Sequence, residues 1–133
     1  MIKIIGKDNI KKDEQYIFVS NHPCSSDVWI VPFLFRRAKI LIDTGFKIPI
    51  LSQLLRAWKH IDCRAKNRKF SILLCLKRIS QGFSVYFFAE GKLSKNMYEM
   101  NDFYSGYIKV KQISQLKIVP VALKKKKIYR ITN

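Results

Sequence analysis

A histidine and an aspartate lie close together near the start of the chain. His22 directly follows the apolar run IFVSN, and Asp27 lies five positions further on, with Ser25 and Ser26 between them. An imidazole titrates near neutral pH, so a carboxylate bound to one ring nitrogen leaves the other nitrogen to act as a base. The spacing predicts a catalytic His–Asp dyad, and it equally fits a histidine held as a turn residue.

The three cysteines and the second histidine are weaker candidates for catalytic or metal-binding residues than this pair. Cys24, Cys63 and Cys75 form no CxxC pair, and their odd number and wide spacing argue against a disulfide framework or a zinc site. We therefore expect no metal, and a reducing, cytoplasmic compartment. Cys75 lies on the apolar face of a predicted helix and is expected in the core. His60 has no acidic neighbour of obvious geometry and is expected to be structural.

The elements that must position these residues alternate between short apolar runs and helical patterns. This alternation predicts an α/β fold, with helices packed on a mixed central sheet in a single compact domain over residues 1–133. We expect strands at 16–20, 39–43, 83–88 and 117–123, and a further one at 128–131. Helices are expected at 27–37, at 50–59 after Pro49, at 68–80 with Asn67 as cap, and at 106–115. Residues 89–105 show no period, and a loop of this length indicates a functional segment.

The chain is strongly basic. Its 133 residues include 26 Lys and Arg against 9 Asp and Glu, which gives a formal net charge of +17. Such a charge attracts acidic lipids, phosphorylated metabolites, acidic carrier proteins or nucleic acid. Four lysines at 124–127 belong to a basic C-terminal end, 124–133, but most of the charge is spread along the chain. No recognised nucleic-acid motif accompanies the charge, so a nucleic-acid partner is the competing hypothesis and not the expected one.

Four sequence blocks occur together in a fixed order: IFVSNHPCSSD, KHIDCR, YFFAEGKLS and KIVPVAL. Their order and spacing resemble the glycerolipid acyltransferases that include 1-acylglycerol-3-phosphate acyltransferase, over about residues 6–123. The resemblance implies an acyltransferase domain that moves a fatty acyl group from a thioester donor, acyl-CoA or acyl carrier protein. It also implies the acceptor, a hydroxyl of lysophosphatidic acid or a related glycerophospholipid precursor.

The same resemblance implies roles for individual residues. His22 would be the general base that takes the proton from the acceptor hydroxyl, and Asp27 would orient its imidazole. Glu90, Gly91 and Lys92 of the third block would lie at the substrate site. No cofactor is implied beyond the acyl donor, which is a co-substrate.

The second and third blocks depart from the family pattern. Cys63 and Leu93 stand where the family has arginines, and Ala89 stands where it has proline. Arginine grips a phosphate through two parallel hydrogen bonds, which neither replacement can reproduce. We therefore predict that Arg64 and Lys92, the nearest cations, hold the acceptor phosphate. The departures leave open the alternative of a catalytically silent lipid- or anion-binding remnant of the same fold.

A lipid acceptor requires access to a bilayer, so we expect peripheral binding at the inner face of a membrane. No apolar run approaches the roughly 20 residues that span a bilayer, and the N-terminus lacks the pattern of a signal peptide. The expected contact is the segment 48–58 with basic residues near its ends, where the apolar residues at helical spacing are Ile50, Leu51, Leu54, Leu55 and Trp58. The alternative for this segment is an ordinary core-facing helix.

Overall fold

The computed structural model describes residues 4–64, 68–92 and 101–124. Strands and α-helices alternate along these residues, which confirms the predicted α/β fold. The elements are β1 (Tyr16–Ser20), α1 (Asp27–Leu34), β2 (Ala38–Ile42), α2 (Pro49–Ala57), β3 (Ile61–Asp62), α3 (Arg68–Ser80), β4 (Ser84–Phe88), α4 (Gly106–Ser114) and β5 (Lys117–Val121). Short 3-10 turns lie at Lys7–Asn9 and Thr44–Lys47.

The strands form one sheet in the order β3-β2-β4-β1-β5. The sheet was expected to be mixed, and this is wrong for the described strands, since all of their pairings are parallel. The reason lies in the connections, since each strand is joined to the next through a helix. This crossover brings the chain back to the end of the sheet where the previous strand began, so successive strands run in the same direction. The strand expected at 128–131 lies outside the described residues.

Both faces of the sheet are covered, as a parallel sheet requires. β1 is buried along its whole length, and its side chains alternate between two apolar clusters. Tyr16 and Phe18 belong to the cluster that α1 and α2 complete, whereas Ile17 and Val19 belong to the cluster that α3 and α4 complete. Cys75 of α3 is fully buried in the second cluster, so its predicted place in the core is confirmed.

The bounds of the described helices and strands agree with the expected ones to within two residues, except for α1 and β3. The expected helix 68–80 matches α3, which ends ahead of Gly82 in a left-handed conformation, although its predicted cap Asn67 lies outside the described residues. The helix expected at 27–37 is too long, because Phe35 leaves helical geometry and packs in a tilted arrangement against Phe18 in the core, with ring centroids 4.8 Å apart. β3 has two residues and was not expected.

Parallel pairing places the carboxyl ends of all five strands at one edge of the sheet. Segments that follow β1, β3 and β4 therefore meet there, although they are far apart in sequence. In open parallel sheets this edge is where ligands bind. The first three sequence blocks end at it.

Candidate active site

His22 and Asp27 are in contact at the carboxyl edge of the sheet. Nδ1 of His22 lies 3.2 Å from Oδ2 of Asp27, which is the first residue of α1. The same carboxylate oxygen accepts the Cys24 backbone N–H at 2.9 Å. A carboxylate at the first turn of a helix is also favoured by the helix dipole. The two side chains are each 12% exposed, so the pair is shielded without being sealed off.

The His22 ring is also held by stacking. It lies on the ring of Phe88 with centroids 4.2 Å apart and an interplanar angle of 26°. Phe88 ends β4, and the parallel register pairs it with Ser20, two residues before the histidine. Because a hydrogen bond and a ring contact both restrict the imidazole, the sheet fixes its orientation as well as its position.

The Glu90 carboxyl group is fully buried beside the dyad and binds the chain itself. Oε1 accepts the backbone N–H of His22 at 2.8 Å. Oε2 accepts the backbone N–H of Asn101 at 2.8 Å and its side-chain Nδ2–H at 2.9 Å. Glu90, expected at the substrate site, thus lies beside the dyad, where both of its oxygens accept main-chain or amide N–H groups of the chain.

Gly91 and Tyr104 pack the third block against the segment that precedes α4. Gly91 adopts φ +63°, and a Cβ there would lie 2.6 Å from the Tyr104 ring, so the close contact requires glycine. The Tyr104 backbone N–H donates to the Ala89 carbonyl at 2.8 Å. Gly91, Lys92 and Tyr104 all face the cavity described next.

A cavity of about 1140 Å³ opens beside the dyad, and His22 forms part of its wall. Its lining is mainly apolar and comes from both faces of the sheet. On one face the wall is built by α1, β2 and α2, for example by Val28, Leu51 and Leu55. Lys92 and Lys109 line the cavity on the side of α4.

Arg64 is engaged elsewhere. Its Nε donates to Oδ1 of Asp62 at 2.9 Å, and its guanidinium also bonds the second carboxylate oxygen. This hydrogen bonding raises the pKa of Arg64 above its ordinary value. Among the described residues that line the cavity, Lys92 is present and Arg64 is not. The structure thus does not bring together the two cations expected at the phosphate.

His60 has the structural contact expected of it. Its Nδ1 accepts the backbone N–H of Ile40 at 3.2 Å, in a largely buried position. Burial, and secondarily the charge of Lys39, lowers the pKa of His60 to about 4. The ring is therefore neutral at physiological pH, as an acceptor must be.

The thiols and the possible metal ligands offer little competing chemistry. Burial raises the pKa of Cys75 to about 12, which keeps it protonated at neutral pH. Cys24 lies nearer the dyad, where its sulfur accepts the Ser26 hydroxyl. Within residues 4–64, 68–92 and 101–124, no three His, Cys, Asp or Glu side chains are grouped to bind a metal ion.

Three residues of the site were not singled out from the sequence. Phe88 stacks on the His22 ring, Asn101 donates to the Glu90 carboxylate, and Asn21 joins the end of β1 to the fourth block. Asn21 Nδ2 donates to the Leu123 carbonyl at 2.9 Å, and its Oδ1 accepts the Leu123 N–H at 2.8 Å. Asn21 precedes the motif histidine directly, which is a usable signal. Asn101 follows a polar stretch without a period and carries no such signal.

Comparison with known proteins identifies the family of the chain. The Acyltransferase family matches residues 1–124. Similar curated proteins include a chloroplastic 1-acyl-sn-glycerol-3-phosphate acyltransferase of Arabidopsis thaliana, 30% identical in an alignment of 128 positions that covers 92% of this chain and 35% of that protein. A chloroplastic enzyme of the same name from Brassica napus is 28% identical in an alignment of 126 positions that covers 90% of this chain and 36% of that protein.

The chain spans about a third of the length of these curated relatives. No solved structure matches it significantly. None of the helices in the described ranges combines the length and the apolar character needed to cross a membrane. Since the family match covers nearly the whole sequence, the chain belongs to the acyltransferase family.

Proposed function

We propose that this chain transfers a fatty acyl group from a thioester, acyl-CoA or acyl carrier protein, to a hydroxyl of lysophosphatidic acid or a related glycerophospholipid precursor. The observation that carries the proposal is the 3.2 Å contact between His22 and Asp27 at the wall of a large apolar cavity. Family membership and the names of the curated relatives support the same reaction.

The dyad geometry suits general-base catalysis. With the Asp27 carboxylate as acceptor, Nδ1 of His22 carries a proton and Nε2 is the basic nitrogen. Nε2 takes the proton of the acceptor hydroxyl while that oxygen attacks the thioester carbonyl carbon. The new C–O bond forms, the tetrahedral intermediate collapses, the C–S bond breaks, and the imidazolium returns the proton to the leaving thiolate. Asp27 stabilises the imidazolium, and general-base help of this kind contributes about 10²- to 10⁴-fold.

The cavity supplies room for the two substrates. Its volume of about 1140 Å³ exceeds the roughly 300–1,000 Å³ of ordinary ligand pockets, and an apolar wall suits a fatty chain. Lys92 and Lys109 both line it and are well placed for an acceptor phosphate. Arg64 contributes less in this arrangement, because Asp62 already engages its guanidinium.

Peripheral membrane binding is part of the proposal, because a lipid acceptor resides at a bilayer surface. Of the α2 segment expected to make this contact, Leu55 packs into the core, whereas Ile50 remains 84% and Trp58 50% exposed. α1 adds Trp29 and Phe33, the latter 75% exposed, at the rim of the same cavity. The net charge of +17 would strengthen binding to anionic lipid. The expected inner-face, cytoplasmic location stays a prediction.

Membrane binding is tested by co-sedimentation with phosphatidylglycerol and phosphatidylcholine vesicles at increasing salt. We expect binding to the anionic vesicles that weakens with salt, since the attraction decays over a Debye length of about 8 Å at physiological ionic strength. Equal binding to neutral and anionic vesicles, or none to either, would contradict this part of the proposal.

The enzymatic proposal is tested by incubating the purified chain with a labelled acyl donor and lysophosphatidic acid in detergent or mixed lipid. We expect labelled phosphatidic acid from the wild-type chain and none from His22→Ala. Binding of lysophosphatidic acid without turnover, with either donor, would instead favour the silent lipid-binding remnant. Tight, salt-sensitive binding to DNA without lipid binding would favour the nucleic-acid hypothesis.

A further inference from the structure

We propose that Glu90 is a positioning residue that holds the main chain of His22 through its carboxylate, together with Asn101, and that it does not bind substrate. The inference rests on the proposed acyl transfer by His22. It starts from a fully buried carboxyl group that, within the described part of the chain, accepts N–H groups of His22 and Asn101 at 2.8, 2.8 and 2.9 Å.

The surroundings of Glu90 separate it from substrate. A carboxyl group removed from water is stabilised only when hydrogen bonds replace its lost hydration, and here N–H donors bind both oxygens. The neighbouring residues Ala89 and Gly91 line the cavity, whereas Glu90 is not among the described residues that do. A side chain placed in this way acts on the residues that hold it and not on a ligand.

Those residues connect the proposed base to another part of the cavity lining. Oε1 fixes the backbone N–H of His22, whose ring is fixed separately by Asp27 and Phe88. Oε2 fixes Asn101, which begins the described segment that carries the cavity-lining residue Tyr104 and leads into α4. Glu90 thereby ties the main chain of His22 to this part of the lining. A misplacement of about 1 Å between reacting groups can cost about 10²-fold in rate.

The first test is Glu90→Gln, which keeps the shape but replaces one oxygen with a donor that faces N–H donors. We expect kcat to fall about 10- to 100-fold while KM for both substrates changes less than about threefold. The matched control is Glu14→Gln, the same chemical change two residues before β1, where the carboxylate accepts the Tyr16 hydroxyl. We expect wild-type kinetics from the control.

The second test exchanges the two groups. Asn101→Asp places a carboxylate against Glu90 and should lower kcat, whereas the double variant Glu90→Gln with Asn101→Asp lets the new amide donate to the new carboxylate. We expect the double variant to turn over faster than either single variant. A role confined to general folding would not predict this recovery.

A third measurement does not depend on activity. Hydrogen exchange of the His22 backbone amide, followed by NMR, should become faster in Glu90→Gln than in the wild-type chain. If the wild-type chain transfers no acyl group, the proposed function fails, and this exchange rate still decides whether Glu90 holds His22. If Glu90→Gln does not fold, Asn101→Ala takes its place, with an expected loss of about 2- to 10-fold in kcat.

Three results would overturn the proposal. A rise in KM with unchanged kcat in Glu90→Gln, or in Asn101→Ala where that variant is used, would make the group a substrate ligand. Unchanged kinetics would show that the contact has no effect on turnover. An unchanged exchange rate at His22 would show that Glu90 does not hold it.

Discussion

The two histidines of this chain line the same cavity, and each makes a hydrogen bond through Nδ1. Their partners differ, however, and leave Nε2 in opposite protonation states. Nδ1 of His22 faces the Asp27 carboxylate, to which it can only donate, so Nε2 is left as an acceptor. Nδ1 of His60 accepts the Ile40 N–H, so in the neutral ring Nε2 carries the proton and cannot take another group's proton. The comparison teaches that the partner of Nδ1 decides which of the two rings has an Nε2 that can accept a proton.

The most direct way to break this comparison is to remove the His22 ring. We expect His22→Ala to lower kcat by about 10²- to 10⁴-fold. The midpoint of thermal unfolding should change little, because the backbone N–H that Glu90 accepts remains in place. Measured transfer rates and thermal unfolding curves check both statements. Turnover within threefold of wild type would show that His22 is not the base.

Converting His22 to the hydrogen-bonding state of His60 is a sharper test. Asp27→Asn leaves the Cys24 N–H an acceptor, but its new amide can donate to Nδ1 and favour the tautomer with the proton on Nε2. We expect kcat to fall about 10- to 10³-fold without unfolding. Asp8→Asn, an identical change in the 3-10 turn Lys7–Asn9, serves as the control. Comparable activity of the two variants would contradict the role given to Asp27.

Acid should lower the stability of the folded chain through the protonation of His60. Burial lowers its pKa to about 4 in the folded chain, against about 6.5 when the chain is unfolded. Between these pH values only the unfolded state takes up the proton, so the free energy of unfolding falls as pH is lowered from 6.5 to 4. The expected loss is on the order of 2 kcal/mol.

Urea unfolding of the wild-type chain and of His60→Leu at pH values between 7 and 4.5 isolates this effect. The variant should be less stable at neutral pH and should lack the contribution of His60 to the pH dependence. Parallel curves for the two proteins over this range would show that His60 titrates normally and that the comparison of the two histidines fails.

The smallest expected effect concerns Lys92 and Arg64, for which an existing partner again decides what the side chain can bind. We expect Lys92→Gln to raise KM for the acceptor about 3- to 10-fold with a smaller change in kcat. Arg64→Gln should raise this KM less, because Asp62 already binds the guanidinium. Acceptor titrations of both variants provide the measurement, and a larger effect of Arg64→Gln would place the phosphate at the second block.

Sequence reasoning was most successful where the determining contacts are local. Only one loop separates His22 from Asp27 at the start of α1, so the sequence pattern itself suggests the contact that the structure contains. Glu90 depends on a hydrogen bond to His22, 68 residues earlier, and on Asn101, and neither is visible in a motif. The catalytic and binding roles of these residues stay predictions.

The fold shows the same division. Helix α3 follows from its apolar spacing and the glycine after it. The direction of strand pairing depends on how each crossover returns to the sheet, and the sequence patterns of single strands do not contain this information, which is why the sheet was wrongly expected to be mixed. α1 ends early because the core takes up the Phe35 ring, which is a tertiary effect.

The strand order also determines at which stage of folding the residues of the site come together. β1, which leads into His22, pairs with β4 and β5, so its contacts lie 68 residues away at Ser84 and 102 residues away, from Asn21 to Leu123. Closing such long loops precedes any gain from the contacts, which makes folding slow compared with that of helical proteins. During synthesis, His22 reaches Phe88 and Glu90 only after β4 has emerged. Recovery of activity on refolding should therefore coincide with formation of the sheet and not precede it.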